Sequence, residues 1–139
     1  MSVDNQRVAT VMVVDNDEDD LCLLRSVLQL KGFDVLEAEN GKEAVDLATR
    51  WRPDLILMDL KLPIINGFTA IRHIRQVSNL RETPIIAFSL PVPTSHNDLA
   101  LAAGCVAHLE KPIDFDQLDI LIEQYLPGRR WELISSLLH

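Results

Sequence analysis

The sequence predicts an α/β protein in which a five-stranded parallel sheet is packed between two layers of helices. Five short runs of mainly apolar residues alternate with five segments whose apolar residues recur at helical spacing, which is the pattern of parallel strands joined by crossover helices. The third run, residues 55–58, is wholly apolar, as expected of a strand buried on both faces. A chain of 139 residues suits one domain of ordinary size. We therefore expect a three-layer, doubly wound (βα)5 fold.

The strands are predicted from runs of β-branched and other apolar residues that end at a polar residue or a turn former. The second run is shorter and more polar than the first, which is typical of a strand at the edge of a sheet. The predicted strands are residues 8–14, 33–37, 55–58, 84–88 and 106–109.

The helices are predicted from apolar stripes and from residues that favour helix ends. Asn40 and Glu43 have the spacing of a capping box before helix two. Gly67 is expected to begin helix three, helix four is predicted over residues 95–103, and Asp114 is expected to cap helix five. The residues predicted on buried helix faces are Leu21, Leu24, Leu28, Ala44, Ala48, Trp51, Phe68, Ile71, Ile74, Phe115, Leu118 and Ile122.

Charge and hydropathy argue against several classes of function. The formal net charge of −8 disfavours direct binding of nucleic acid, because phosphate contacts require clustered Lys and Arg. The apolar runs are too short to span a bilayer, and residues 1–7 do not resemble a signal peptide. We therefore expect a cytoplasmic protein with no membrane contact. In that reducing compartment, Cys22 and Cys105 are expected to be free thiols that pack in the core.

Four predicted strand ends carry side chains that could act together. Asp15 follows strand one, Asp59 strand three, Ser89 strand four and Lys111 strand five. The carboxyl ends of parallel strands lie at one edge of a sheet, so these side chains can converge. Two carboxylates about 4 Å apart repel each other by roughly 4 kcal/mol at an effective dielectric near 20, and Mg²⁺ would relieve this repulsion. Together with a lysine and a hydroxyl, the two carboxylates would form a binding site suited to a transferred phosphoryl group.

These residues lie in motifs that resemble the receiver domain of two-component response regulators. The resemblance covers about residues 7–126. Its motifs are the acidic residues after strand one (VVDND), the third strand and its loop (DLILMDLKLPIING), the hydroxyl after strand four (PIIAFS) and the lysine-proline pair after strand five (HLEKP). All four motifs in this order, each at a strand end, make the resemblance specific. It implies the flavodoxin-like strand order 2-1-3-4-5.

The resemblance implies that Asp59 accepts a phosphoryl group from a histidine kinase or a phosphotransfer protein. Asp15, Asp59 and the backbone carbonyl of Lys61 would bind the Mg²⁺ cofactor. The family usually has a second acid at the position of Asn16. An asparagine can hold a metal-bound water but contributes no charge, so we expect weaker binding of Mg²⁺. Such a protein is a signalling domain that assists its own phosphorylation and dephosphorylation, and it is not an enzyme.

The resemblance also implies roles for the ends of strands four and five. Ser89 would bond a phosphoryl oxygen and shift on activation, and Lys111 would pair with the phosphoryl group, with a cis bond before Pro112. Leu90 stands where the family has a small residue and could narrow access to the site. His108 occupies the aromatic switch position, where an imidazole can still swing between buried and exposed positions and adds pH sensitivity.

Two other kinds of site compete with this interpretation. Asp15, Asp17 and Asp19 alternate as in an EF-hand loop, but Asp20 and Ser26 stand where that loop requires Gly and Glu. A haloacid-dehalogenase-like phosphatase would use Asp15 as nucleophile and Asp17 as acid/base. That family needs a further acidic motif on a later strand, and only one predicted helix and a tail follow the lysine.

A third alternative is a degenerate receiver that acts as a phosphorylation-independent interaction module. Asn16, Leu90 and His108 favour it, whereas retention of all four strand-end residues argues against it.

The domain organisation predicted is an arm at residues 1–7, a receiver domain at residues 8–126 and a tail at residues 127–139. The tail could form a short amphipathic helix. With no output domain in the sequence, we expect a stand-alone receiver that binds a downstream protein or passes on a phosphoryl group. Self-association could use the tail or the surface of helix four, strand five and helix five.

Overall fold

The strands form one sheet whose interior positions are almost all apolar. The computed structural model describes residues 8–91 and 94–127. All strand pairs in it are parallel, in the order β2-β1-β3-β4-β5. In chain order the elements are β1 (Thr10–Val14), α1 (Glu18–Leu30), β2 (Asp34–Ala38), α2 (Gly41–Trp51), β3 (Leu55–Asp59), α3 (Gly67–Gln76), a 3₁₀ turn (Ser78–Leu80), β4 (Ile85–Ser89), α4 (Thr94–Ala103), β5 (Ala107–Glu110) and α5 (Phe115–Tyr125).

The order of the strands places a switch in winding direction between β1 and β3. Met12 of β1 is paired with Leu36 of β2 on one side and with Ile56 of β3 on the other. The chain passes from β1 outward to β2 and then returns to β3 on the opposite side. Ligand sites of open α/β sheets lie at such points, beyond the carboxyl ends of the strands. The predicted fold class and strand order are confirmed.

Side chains that alternate along each strand divide the core between two faces. On β1, Met12 and Val14 pack with buried residues of α2, α3 and α4, whereas Val11 and Val13 pack with those of α1 and α5. All four are fully buried. Because both faces are covered by helices, the central strands carry apolar residues at consecutive positions.

A close approach between α3 and the end of β3 fixes the backbone around Asp59. Asn66 caps α3, its side chain accepting from the Thr69 N–H at 2.9 Å. A Cβ at Gly67 would lie 2.5 Å from the Asp59 carbonyl oxygen and 2.6 Å from Cα of Leu60. A larger residue would push the helix away from the strand, so glycine is required where α3 begins.

Most of the predicted elements are present, with ends shifted by one or two residues. Asn40 caps α2 and Asp114 caps α5 as predicted. The prediction that Trp51 packs on the buried face of α2 is wrong. Its exposed fraction is 59%, because it is the last residue of the helix and the chain turns away at Arg52, which has a left-handed backbone.

The prediction of two core cysteines is half right. Cys105 is buried and Cys22 is exposed. The buried stripe of α1 consists of Leu21, Leu24 and Leu28. Cys22 follows Leu21 directly in the helix, so its side chain points away from this stripe. The predicted arm at residues 1–7 and the predicted helix in residues 129–139 lie outside the described residues. Within residues 8–91 and 94–127, no helix combines the length and the apolar character that crossing a bilayer requires.

Candidate functional site

A cavity of about 870 Å³ opens at the carboxyl edge of the sheet, above the switch between β1 and β3. It is bounded by the loops that follow β1, β3 and β4 and by the start of the loop that follows β5. The structure brings all four predicted strand-end residues to it. Its walls also contain the other predicted residues near the site, Asn16, Lys61 and Leu90.

Two carboxylates form the floor of this cavity. Asp15 is 1% exposed and Asp59 is 5% exposed. One oxygen of each is held by the backbone of the following loop: Oδ1 of Asp15 accepts from the Asp17 N–H at 2.8 Å, and Oδ1 of Asp59 accepts from the Lys61 N–H at 2.9 Å. These bonds leave the second oxygen of each carboxylate for a charged partner.

That partner is Lys111. Its Nζ donates to Oδ2 of Asp15 at 2.9 Å and to Oδ2 of Asp59 at 3.0 Å. It also donates to Oδ2 of Asp20 at 3.0 Å, a contact that the sequence did not predict. The ammonium lies 5.2 Å from the centre of the Phe88 ring, and the Lys111-Pro112 peptide bond is cis, as predicted.

The buried carboxyl group of Asp15 and the partly buried ammonium of Lys111 both have displaced pKa values. Burial raises the pKa of Asp15 to about 6 and the neighbouring charge of Asp59 adds to the rise, while the Asp17 N–H and Lys111 oppose it. For Lys111, burial favours the neutral amine. The hydrogen bonds to Asp15, Asp59 and Asp20 outweigh burial and raise the pKa above its usual value.

Ser89, a residue of the cavity wall, is in direct contact with His108. The Ser89 hydroxyl lies 3.0 Å from Nε2 of His108 and donates to the Leu90 carbonyl at 3.1 Å. A hydroxyl has one proton, so one that donates to Leu90 accepts from a protonated Nε2. The Lys111 N–H donates to the Ser89 carbonyl at 2.7 Å, which joins the ends of β4 and β5 by main-chain and side-chain bonds.

The remaining predicted residues lie at the rim. Asn16 and Lys61 are exposed, and Leu90 is 61% exposed. Leu90 thus lies in the cavity wall with most of its side chain open to solvent. The structure also excludes the EF-hand alternative, since α1 begins at Glu18 and the Asp17 side chain caps it, so residues 15–26 do not form a loop.

The donor set fits a divalent cation. The oxygens of Asp15 and Asp59 face each other across Lys111 at the cavity floor. Three carboxylates and one ammonium, counting Asp20, give a formal charge of −3 + 1 = −2. Burial is the main cause of the raised pKa of Asp15, and the neighbouring charge of Asp59 adds to it. Hard oxygen ligands with excess negative charge are the donors that Mg²⁺ prefers.

Comparison with known proteins agrees with this geometry. The family model for the response regulator receiver domain matches residues 11–123. The polar-differentiation response regulator DivK of Brucella anthropi is 33% identical over 117 residues, which is 84% of this chain and 95% of that protein.

Two solved structures share the fold closely. One is the receiver domain of the sensor histidine kinase PA1611 from Pseudomonas aeruginosa, with a magnesium ion coordinated in its active-site cleft. It has 29% identity and a TM-score of 0.81, and the match covers 88% of this chain and 100% of that one. The other comes from the co-crystal of the Saccharomyces cerevisiae phosphotransfer protein Ypd1 with the receiver domain of the response regulator Ssk1. It has 26% identity and a TM-score of 0.79, and the match covers 85% of this chain and 88% of that one.

Proposed function

Since this chain belongs to the response regulator receiver domain family, we propose that it accepts a phosphoryl group on Asp59 from a phosphohistidine donor. The observation that carries the proposal is the bonding of Lys111 to both Asp15 and Asp59 inside an open cavity. A carboxylate oxygen that could act as the nucleophile, the Lys111 ammonium and a second carboxylate lie within hydrogen-bonding distance of one another, which supports phosphoryl transfer.

In the proposed reaction an oxygen of Asp59 attacks phosphorus. The new O–P bond forms as the P–N bond to the donor imidazole breaks, and the bonding electrons leave with the imidazole nitrogen. The Lys61 N–H and Lys111 orient the Asp59 carboxylate beforehand. Lys111 then neutralises charge on the transferred group, and the Ser89 hydroxyl is available to bond one of its oxygens.

We infer that the reaction requires Mg²⁺ held by Asp15 and Asp59, with the Lys61 carbonyl as a third ligand and Asn16 through water. The cation supplies charge neutralisation for the phosphoryl oxygens. A related receiver domain has magnesium in the corresponding cleft, and the charge of this site supports the same assignment.

The proposed partners are a histidine kinase or a phosphotransfer protein as donor, and a downstream protein as target, in the cytoplasm. Ypd1 in complex with the Ssk1 receiver provides a precedent for the donor. The phosphoryl group would either change the binding of the target or be passed onward in a relay.

We propose that Ser89 and His108 couple phosphorylation to the output surface. The Ser89 hydroxyl cannot keep its present bonds and also turn fully toward a phosphoryl oxygen, so its bond to His108 should be lost on phosphorylation. The imidazole NMR resonances of His108 should therefore shift, while those of His73, exposed on α3, should not. Unchanged His108 resonances in fully phosphorylated protein would contradict this coupling.

Labelling from a small-molecule donor tests the phosphoacceptor assignment. With acetyl phosphate and Mg²⁺, the wild type is expected to incorporate one phosphoryl group and Asp59→Asn none, because an amide lacks the nucleophilic carboxylate. Chelation of Mg²⁺ should suppress the labelling. Equal labelling of both proteins would refute the assignment, and labelling of neither would favour the phosphorylation-independent interaction module.

A further inference from the structure

The Lys111 ammonium has a third carboxylate partner whose role is not explained by the four strand-end residues. Oδ2 of Asp20 lies 3.0 Å from Nζ of Lys111, as close as the oxygen of Asp59. The Asp20 side chain is 39% exposed, whereas that of Lys111 is 16% exposed. Asp20 is thus the solvent-exposed partner of the ammonium, whereas Asp15 and Asp59 are its buried partners.

The start of α1 directs Asp20 to this position. Asp17 caps the helix and accepts from the N–H groups of Asp19 at 2.8 Å and Asp20 at 3.4 Å. Side chains lean toward the N-terminus of a helix, and this terminus lies at the carboxyl edge of the sheet. Asp20 therefore points toward the site, anchored by Leu21 and Leu24, which are buried in the next turn.

The charge of the site depends on this residue. Asn16 is neutral and exposed at the cavity wall. Among the side chains bonded to Lys111, two carboxylates and the ammonium would give −2 + 1 = −1 without Asp20. Asp17 also lines the cavity, but its carboxylate caps α1. With Asp20 the formal charge is −2, which a divalent cation balances.

We propose that Asp20 is a positioning residue that holds the Lys111 ammonium and supplies the negative charge that Asn16 does not provide. A cation held by the oxygens of Asp15 and Asp59 would compete with Lys111 for those oxygens, and Asp20 would then keep the ammonium in place. This inference rests on the proposed function, because it assigns Asp20 to the same Mg²⁺-dependent reaction.

Loss of the Asp20 charge should weaken Mg²⁺ binding for two reasons that act in the same direction. The negative charge that attracts the cation falls. Lys111 is also left with only Asp15 and Asp59 as partners, and these are the proposed ligands of the cation. From the Coulomb energy of one charge a few ångströms away in a partly exposed site, we expect Asp20→Asn to raise the Mg²⁺ dissociation constant about three- to tenfold. Titration calorimetry without any phosphodonor measures this directly.

Asp19→Asn is the matched control. It removes the same charge from the same first turn of α1, and the Asp19 side chain is exposed. Its dissociation constant should stay within about twofold of the wild-type value. The double variant Asn16→Asp/Asp20→Asn moves the negative charge to a residue of the cavity wall, and it should recover most of the lost Mg²⁺ affinity.

A spectroscopic measurement separates positioning from a general effect of charge. The Lys111 ammonium should give a side-chain NMR signal protected from exchange with water by its three carboxylate partners. That signal should broaden in Asp20→Asn and stay sharp in Asp19→Asn.

The inference is overturned if Asp20→Asn binds Mg²⁺ as the wild type does, if Asp19→Asn loses as much affinity, or if the wild type binds no Mg²⁺. The proposed function fails separately, if the wild type binds Mg²⁺ but is not phosphorylated.

Discussion

Replacement of Lys111 with methionine is expected to lower the free energy of unfolding by about 3 kcal/mol at pH 7 without divalent cations. Methionine keeps an apolar chain over Phe88 but removes the charge. The buried carboxylates of Asp15 and Asp59 would then face each other with no cation between them. Removing one partner of a buried ion pair costs more than the pair contributed, since the remaining charge is left uncompensated.

Chemical denaturation measures this effect, with Lys42→Met as the control. Lys42 forms a surface pair with Asp46 in which both side chains are about two-thirds exposed, so its loss should change stability by less than about 0.5 kcal/mol. The loss of unfolding free energy in Lys111→Met should be smaller when Mg²⁺ is added. It should also be smaller at pH 5, where Asp15 is protonated. If Lys111→Met lost no more unfolding free energy than Lys42→Met, Lys111 would not be compensating the charge of the buried carboxylates.

Replacement of Asp15 with asparagine is expected to change how stability depends on pH. The folded protein raises the pKa of Asp15 from an ordinary value of 3.8 to about 6, so the folded state binds this proton more tightly than the unfolded state. The stabilisation from protonated Asp15 is complete below pH 4 and is lost as the pH rises through 6. Asparagine does not titrate, so the variant avoids this loss.

The unfolding free energy of Asp15→Asn minus that of the wild type should therefore rise by about 2 kcal/mol between pH 4.5 and pH 7, because only the wild type loses stability over this range. Denaturation in the presence of a chelator, repeated across this range, measures it. Asp46→Asn removes an exposed carboxylate and should give a nearly constant difference. A flat profile for Asp15→Asn would mean that burial does not perturb this carboxyl group.

The alternation of apolar runs and helical stripes predicts the fold class, because each strand and each helix is specified by its own local pattern. The strand order follows instead from the resemblance to receiver domains. The errors lie where local pattern and tertiary position diverge. Trp51 continues the stripe of α2 but is the last residue of the helix, and its side chain is exposed. Cys22 was assigned to the core from residue type, although the stripe of leucines on α1 excludes it.

The residues around the site were predicted because each follows a strand, and parallel strands end at one edge. The Asp20 contact was missed for a physical reason. Acidic residues in the first turn of a helix normally complement its dipole, and nothing local distinguishes Asp20 from Asp19. Only the packing of the loop after β5 against α1 brings Lys111 within 3.0 Å of it.

The contact between Ser89 and His108 also could not be predicted from the sequence. Both were predicted as switch residues, yet their hydrogen bond depends on the pairing of β4 with β5. In that register His108 lies opposite Ala87, two positions from Ser89 on the same face. An offset of one residue would have turned the imidazole to the other side of the sheet.

The central claim is that Asp59 is the phosphoacceptor, and chemical mapping of the modified residue tests it most directly. Borohydride reduces an aspartyl phosphate to homoserine, which peptide mass spectrometry can locate. After treatment with acetyl phosphate and Mg²⁺, homoserine is expected at position 59 and at no other aspartate. Homoserine at Asp15 or Asp20 with Asp59 intact, or its absence from protein that carries a phosphoryl group, would contradict the account.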